Sequence, residues 1–160
     1  MDTGRKMGWF LALFGFVPFA VGTVVELLPL QSDFLLYKAI AAKMLSAYGA
    51  VILSFLGGIR WGIALADNPA SPVSRTLVWS VVPSLWGWAA VFPGAPLNYV
   101  LLAIGFAAMG FWDRKLIEKP NIPLWFVQLR TVLSVLVTTA MLVCALAAVW
   151  PLIMISLSQG

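Results

Sequence analysis

Residues 131–156 carry no charged side chain at all. An uncharged apolar run of more than about 18 residues is long enough to cross a hydrocarbon core of about 30 Å as a helix. In lipid no water satisfies the backbone, so a spanning segment of this kind is helical. Four more runs follow the same logic, over residues 8–30 (interrupted only by Glu26), 44–66, 75–92 and 97–112. Composition agrees, since 62% of the chain is apolar and 10% charged, against about 25% charged in soluble domains. The expected fold is all-α: one membrane domain over residues 1–160, a polytopic helix bundle with five transmembrane helices.

The basic residues give that bundle a direction. With five spans, the N-terminus, the 67–75 loop and the 113–130 loop share one side and hold Arg5, Lys6, Arg75, Arg114, Lys115, Lys119 and Arg130. The other side holds only Lys38 and Lys43, with Arg60 set aside as intramembrane. The bias of Lys and Arg toward cytoplasmic loops then predicts the N-terminus inside and the C-terminus outside. Trp9, Trp61, Trp112 and Trp125 fall near the inner boundary on that reading, as an aromatic belt does. The net charge of +4 is accordingly topology signal facing anionic lipid headgroups, and no nucleic-acid partner is implied. Arg5 and Lys6 ahead of an apolar run also mimic a signal peptide, but the first run is longer than the about 7–15 residues of such a segment, so a retained span is expected.

The stretch 46–66 holds both a packing surface and an expensive charge. Every fourth residue is small, Ser46, Ala50, Ser54, Gly58, Gly62 and Ala66, which reads as a helix-packing face in lipid. Arg60 lies two positions past Gly58 and so about 200° round the helix. An arginine inside a span costs about 2.5–3.5 kcal/mol on insertion scales and usually faces the bundle interior or a partner. Its alternative is to snorkel to the inner headgroups along its stem. Asp113, at the inner end of the fourth span, is the preferred partner, with Asp67 as the alternative. If the fourth and fifth spans are neighbours, Asp113, Arg114 and Arg130 complete an inner cluster able to hold an anionic headgroup or the polar end of a quinone-like lipid beside Trp61 and Trp112.

Other features shape the bundle or exclude chemistry. Pro18 and Pro83 each remove a backbone donor and predict kinks in the first and third spans. Ser80 and Ser84 are the side chains placed to satisfy the groups that Pro83 frees. Both prolines precede a glycine by the same spacing, Gly22 and Gly87, a faint echo of the repeats found in transporters. Residues 31–33 offer helix caps, 34–43 lie along or beyond the interface, and 67–72 form a turn. With no His and only Cys144, the usual zinc, copper, iron–sulfur and His-ligated haem sites cannot be built, so no metal and no cofactor is expected. Glu26 and Asp113 belong to opposite membrane faces, which leaves no paired-carboxylate chemistry and no catalytic residue to name.

Residues 48–62 (Tyr-Gly-Ala-Val-Ile-Leu-Ser-Phe-Leu-Gly-Gly-Ile-Arg-Trp-Gly), 79–85 (Trp-Ser-Val-Val-Pro-Ser-Leu), Asp113-Arg114, and Pro123-Leu-Trp125 with Leu129-Arg130 resemble a family of uncharacterised multispan proteins, the transmembrane protein 69 family with its bacterial relatives. The resemblance covers most of the chain and implies about five helices and an inner-membrane setting. Position 60 is often His in that family, so Arg60 departs toward a permanent charge, which does not suit a proton relay. The small size, the lack of catalytic groups and the small-residue face suggest an accessory or assembly subunit of a larger inner-membrane complex, respiratory or photosynthetic. The setting is a bacterial cytoplasmic membrane, or the mitochondrial inner membrane if the source is eukaryotic. A small carrier, or a lipid- or quinone-binding protein using Arg60 and the kinked spans, is the alternative. Membrane lipids are partners in either case.

Overall fold

Each apolar run forms one helix. The computed structural model describes residues 2–29, 35–66 and 74–158. The expected caps at 31–33, the turn at 67–72, and Asp67 as a partner for Arg60 lie outside the described residues. Five α-helices follow in order, α1 (Asp2–Leu27), α2 (Leu35–Ala66), α3 (Ser74–Ala90), α4 (Leu97–Asp113) and α5 (Leu124–Ser158), with a short 3-10 turn (Arg114–Glu118) between the last two. No strand occurs among the described residues, and the architecture is an all-α bundle.

Helix lengths sort the elements into two kinds. Thr3–Leu27, Leu35–Ala66 and Leu124–Trp150 are long and apolar enough to cross a membrane alone. The 17 residues each of α3 and α4 rise about 25 Å, at the lower limit for a span. The turn through Gly94 and the cis Ala95–Pro96 peptide joins these two into a hairpin. Closest packing is of α2 on α3 and of α4 on α5, with α1 laid across α5 and α2. The centre is aromatic and aliphatic: Phe19, Leu53, Tyr99, Leu102, Phe106, Met141 and Cys144 are buried, and Phe19 meets Phe106 edge to face at 5.7 Å. Cys144 is thus a core residue, its thiol 3.5 Å from the Thr23 hydroxyl.

Two helices are longer than expected from charge alone. No break separates residues 35–43 from the second span, because α2 is continuous from Leu35. Its first turns extend past α1 far enough for the Lys38 ammonium to donate to the carbonyls of Glu26 at 2.6 Å and Leu28 at 3.3 Å. A cation on orphan carbonyls at a helix end satisfies both them and the helix dipole. At the other side, α5 begins at Leu124, directly after Pro123, rather than near residue 131. Proline disfavours helix in the residue before it and supplies the carbonyl for the first turn; Phe126 N–H donates to Pro123 O at 2.9 Å. Arg130 therefore lies inside a helix and not at a loop entrance.

The prolines sit within continuous α1 and α3. The carbonyl of Gly15, adjacent to the one Pro18 leaves free, accepts the Tyr48 hydroxyl of α2 at 2.8 Å. Ser80 does not turn to the group freed by Pro83; its hydroxyl donates to Leu77 O at 2.7 Å. Across α2 and α4, buried Asn98 donates to Ser46 Oγ at 2.7 Å, and Trp86 Nε1 donates to Leu101 O at 2.7 Å across the hairpin.

The small-residue face needs correction. Ser46, Ala50 and Ser54 do pack, with Ala50 against Gly87, but Gly58, Gly62 and Ala66 are exposed. Strict spacing of four residues drifts about 40° per step, so the six positions rotate about 200° round the axis. The buried face is instead Leu45, Gly49, Leu53, Gly57, Arg60 and Ala64, where one step of three takes back about 60° of the drift. Gly57 is where α2 touches α3 most tightly: a methyl there would collide with the Ser80 carbonyl, whereas one on Gly58 meets nothing within 4 Å. Gly57→Ala is therefore expected to lower stability by about 2 kcal/mol through overpacking, and Gly58→Ala to change it by less than about 0.5 kcal/mol. Unfolding in mixed micelles followed by circular dichroism checks the pair; equal effects would refute the offset face.

Candidate functional site

Three helices converge on one carboxylate. The last residue of α4 is Asp113, fully buried at 0% exposure, with Arg60 of α2 at 6% and Arg130 of α5 at 4%. Arg130 Nε donates to Asp113 Oδ2 at 2.7 Å, and Arg130 Nη2 meets the same oxygen. Arg60 Nε stands 3.6 Å from Asp113 Oδ1, an ion pair without hydrogen-bond geometry. Its Nη2 donates to the Trp112 carbonyl at 3.2 Å, and its guanidinium carbon lies 4.1 Å from the centroid of the Trp112 ring. That places a cation on an aromatic face and on the carbonyl end of a helix, both favourable to positive charge.

Local sequence explains the convergence. Gly110, one turn before Asp113, lets α4 approach α5 so closely that an added Cβ would stand 2.7 Å from Ser134 Cβ. The arginines reach the same carboxylate from the buried face of α2 and from the second turn of α5. Taking charges into an apolar interior is expensive, and their attraction repays it only with good geometry. Removing the single acid would leave two uncompensated guanidiniums.

Of the candidate residues, Arg60, Asp113 and Arg130 come together. Arg114 does not: the chain enters the 3-10 turn there and the side chain is exposed. Trp61 does not either, being 41% exposed beside its buried neighbour. Trp112 supplies the ring instead, because it shares the helix end with Asp113. The sequence offered both tryptophans beside the cluster without choosing between them, and it gave no role to Asn98, whose one visible signal was an amide at the start of an apolar run.

Beside the cluster lies a groove. Helices α1 and α2 meet where Tyr48 binds Gly15 but part toward the end holding Gly8 and Ile59, leaving a cavity of about 440 Å³ over α5. Its walls include Ala12, Phe16, Leu56, Phe106 and Leu133, with Arg130 beside them. Exposed Leu11 and Phe55 at its rim open it sideways. The volume lies within the range of about 300–1,000 Å³ usual for ligand sites. A second cavity of about 480 Å³ lies between α3 and α4 under Trp79, Trp86 and Trp112.

Comparison with known proteins places the chain. Residues 4–147 match the family described as "Protein of unknown function (DUF3429)". The chain belongs to the DUF3429 family. Similar to it are transmembrane protein 69 of Xenopus tropicalis, 35% identical over 133 residues, and of Mus musculus, 32% identical over 128 residues. These alignments cover 81% and 79% of this chain but 50% of each relative, so this DUF3429 chain spans about half their length. No solved structure matches it. The relatives' name and the apolar helices together make this DUF3429 protein a membrane protein.

Asp113→Asn is expected to destabilise the protein by about 3–5 kcal/mol, since it strands two buried cations. Arg60→Met should cost less, because the Arg130–Asp113 pair survives. Unfolding midpoints of the two variants in one detergent give the order, and the reverse order would contradict the central place of Asp113.

Proposed function

We propose that this protein is a non-enzymatic membrane protein that holds a lipid or quinone-like amphiphile in the groove between α1 and α2. The observation that carries this is the joining of two features: an apolar cavity open to the side of the bundle, and a buried charged cluster that contributes Arg130 to its wall. A solute entering from the bilayer would keep its chain among side chains resembling lipid and bring its polar end to the cluster. No nucleophile stands against Asp113 among the described contacts, which are with guanidiniums. Binding and positioning are therefore the chemistry the site supports.

A second reading, an accessory or assembly subunit of a larger inner-membrane complex, is favoured by the open space over Gly58 and Gly62. Backbone approach at glycine is how helices associate in lipid. One experiment reads both. After extraction in mild detergent, native mass spectrometry of the wild type should show a bound lipid-sized mass that Ala12→Phe, which fills the groove, removes. Retention of that mass by Ala12→Phe would end the groove reading. A protein partner lost on Gly58→Trp, with lipid retained, would establish the second reading.

The proposed setting is a bacterial cytoplasmic membrane, or the mitochondrial inner membrane in a eukaryote, with all five helices crossing and the N-terminus inside. The seven-to-two bias of basic residues supports that orientation. A fluorescent protein fused to the N-terminus should fluoresce, and alkaline phosphatase fused to the C-terminus should be active. The opposite pair of results would invert the topology.

A further inference from the structure

Resting on the groove reading above, we infer that the molecule held there is anionic: an acyl chain ending in a carboxylate or phosphate, its head at Arg130 and its tail along α1. The first argument is charge. Two guanidiniums and one carboxylate, each at least 94% buried by the exposures of 6%, 4% and 0%, leave one positive charge uncompensated. The carbonyl end of α4 contributes about half a negative charge, and Arg60 already occupies it through Trp112 O. A net positive charge remains in an apolar setting, where an unpaired ion is strongly disfavoured. An incoming anion relieves it; a neutral head does not.

The second argument is position. Arg130 Nε is bound to Asp113, but Nη1 is buried with no hydrogen-bond partner. Of the two arginines, Arg130 lines the groove and Arg60 does not. Apart from the Trp125 indole, the other polar side chain in that wall is Ser134, one turn along. The remainder is aliphatic and aromatic. Along α5 the wall runs from Trp125 to Val137, about 18 Å at 1.5 Å per residue. Arg130 stands in the half nearer Trp125, so a head there leaves the stretch toward Phe19 and Val137 for the tail. Nη1 is enclosed by packing, so an incoming oxygen reaches it as the wall side chains around it give way, with Nε and Nη2 remaining on Asp113. Charge-assisted hydrogen bonds of this kind are about twice as strong as neutral ones.

Oleate and oleyl alcohol share one tail and differ in head charge, which makes them the test. In nanodiscs of phosphatidylcholine at pH 8, the wild type should bind oleate at least about tenfold more tightly than oleyl alcohol, as expected for one charge-assisted contact. A parallel arm with oleyl phosphate in place of oleate, read by native mass spectrometry, tells a phosphate head from a carboxylate. Arg130→Gln should abolish the preference while oleyl alcohol still binds; Arg130→Lys, which keeps the charge if the glutamine variant fails to fold, should retain part of it. Equal binding of oleate and oleyl alcohol by the wild type overturns the anionic head but leaves the groove reading standing. Binding of neither overturns both.

Discussion

Everything at one end of this bundle depends on one carboxylate facing two guanidiniums where water is scarce. Hydrocarbon does not solvate an arginine, so Arg60 and Arg130 each need a partner inside the protein, and Asp113 serves both. That requirement fixes three helices at once. It sets the rotation of α2, the depth of α5, and the point where α4 stops and the chain tightens into a 3-10 turn. Packing follows the charges. Gly57 and Gly110 remove side-chain bulk where α2 meets α3 and where α4 meets α5, so the helices that carry the polar atoms approach closely.

The opposite end is held by gentler means. Lys38 satisfies the open carbonyls at the end of α1, Asn98 binds Ser46, and Tyr48 binds a carbonyl beside Pro18. Lys38 makes two bonds from one ammonium, while the other two are single neutral bonds worth about 0.5–1.5 kcal/mol net each. The groove belongs to this asymmetry. Where Tyr48 ties α2 to α1 the two helices touch, and beyond it they part, since their attachments at that depth are to α5 and α4 rather than to each other.

Much of this was legible in the residues, for physical reasons that also mark where legibility stopped. The five helices follow from hydrocarbon thickness acting on charge-free runs, a one-dimensional property. Asp113 and Arg60 could be matched because each lies a countable distance from an inner boundary. Arg130 could be grouped with Asp113 on the condition that α4 and α5 are neighbours, but its place inside a helix could not be read, because a cation at the edge of an apolar run looks like a flanking residue; Pro123, not the charge, marks where α5 begins. The small-residue stripe packs within the bundle only over Ser46, Ala50 and Ser54 and turns outward from Gly58 on, since spacing of four is not the helical repeat of 3.6. Trp61 and Trp112 are equally aromatic in sequence. Only the helix rotation sets one outward and the other beneath a guanidinium.

The unequal helices carry a consequence for the surrounding bilayer. On one flank, α3 and α4 present about 25 Å of helix, while α2 and α5 on the others reach about 50 Å. If the hairpin crosses the bilayer as proposed, lipids beside it compress or tilt to keep its ends at the headgroup level, at a fraction of a kcal/mol per ångström of mismatch. Such a crossing would imprint a lopsided dent on the leaflet, a shape that thin membranes accommodate with less distortion than thick, sterol-rich ones.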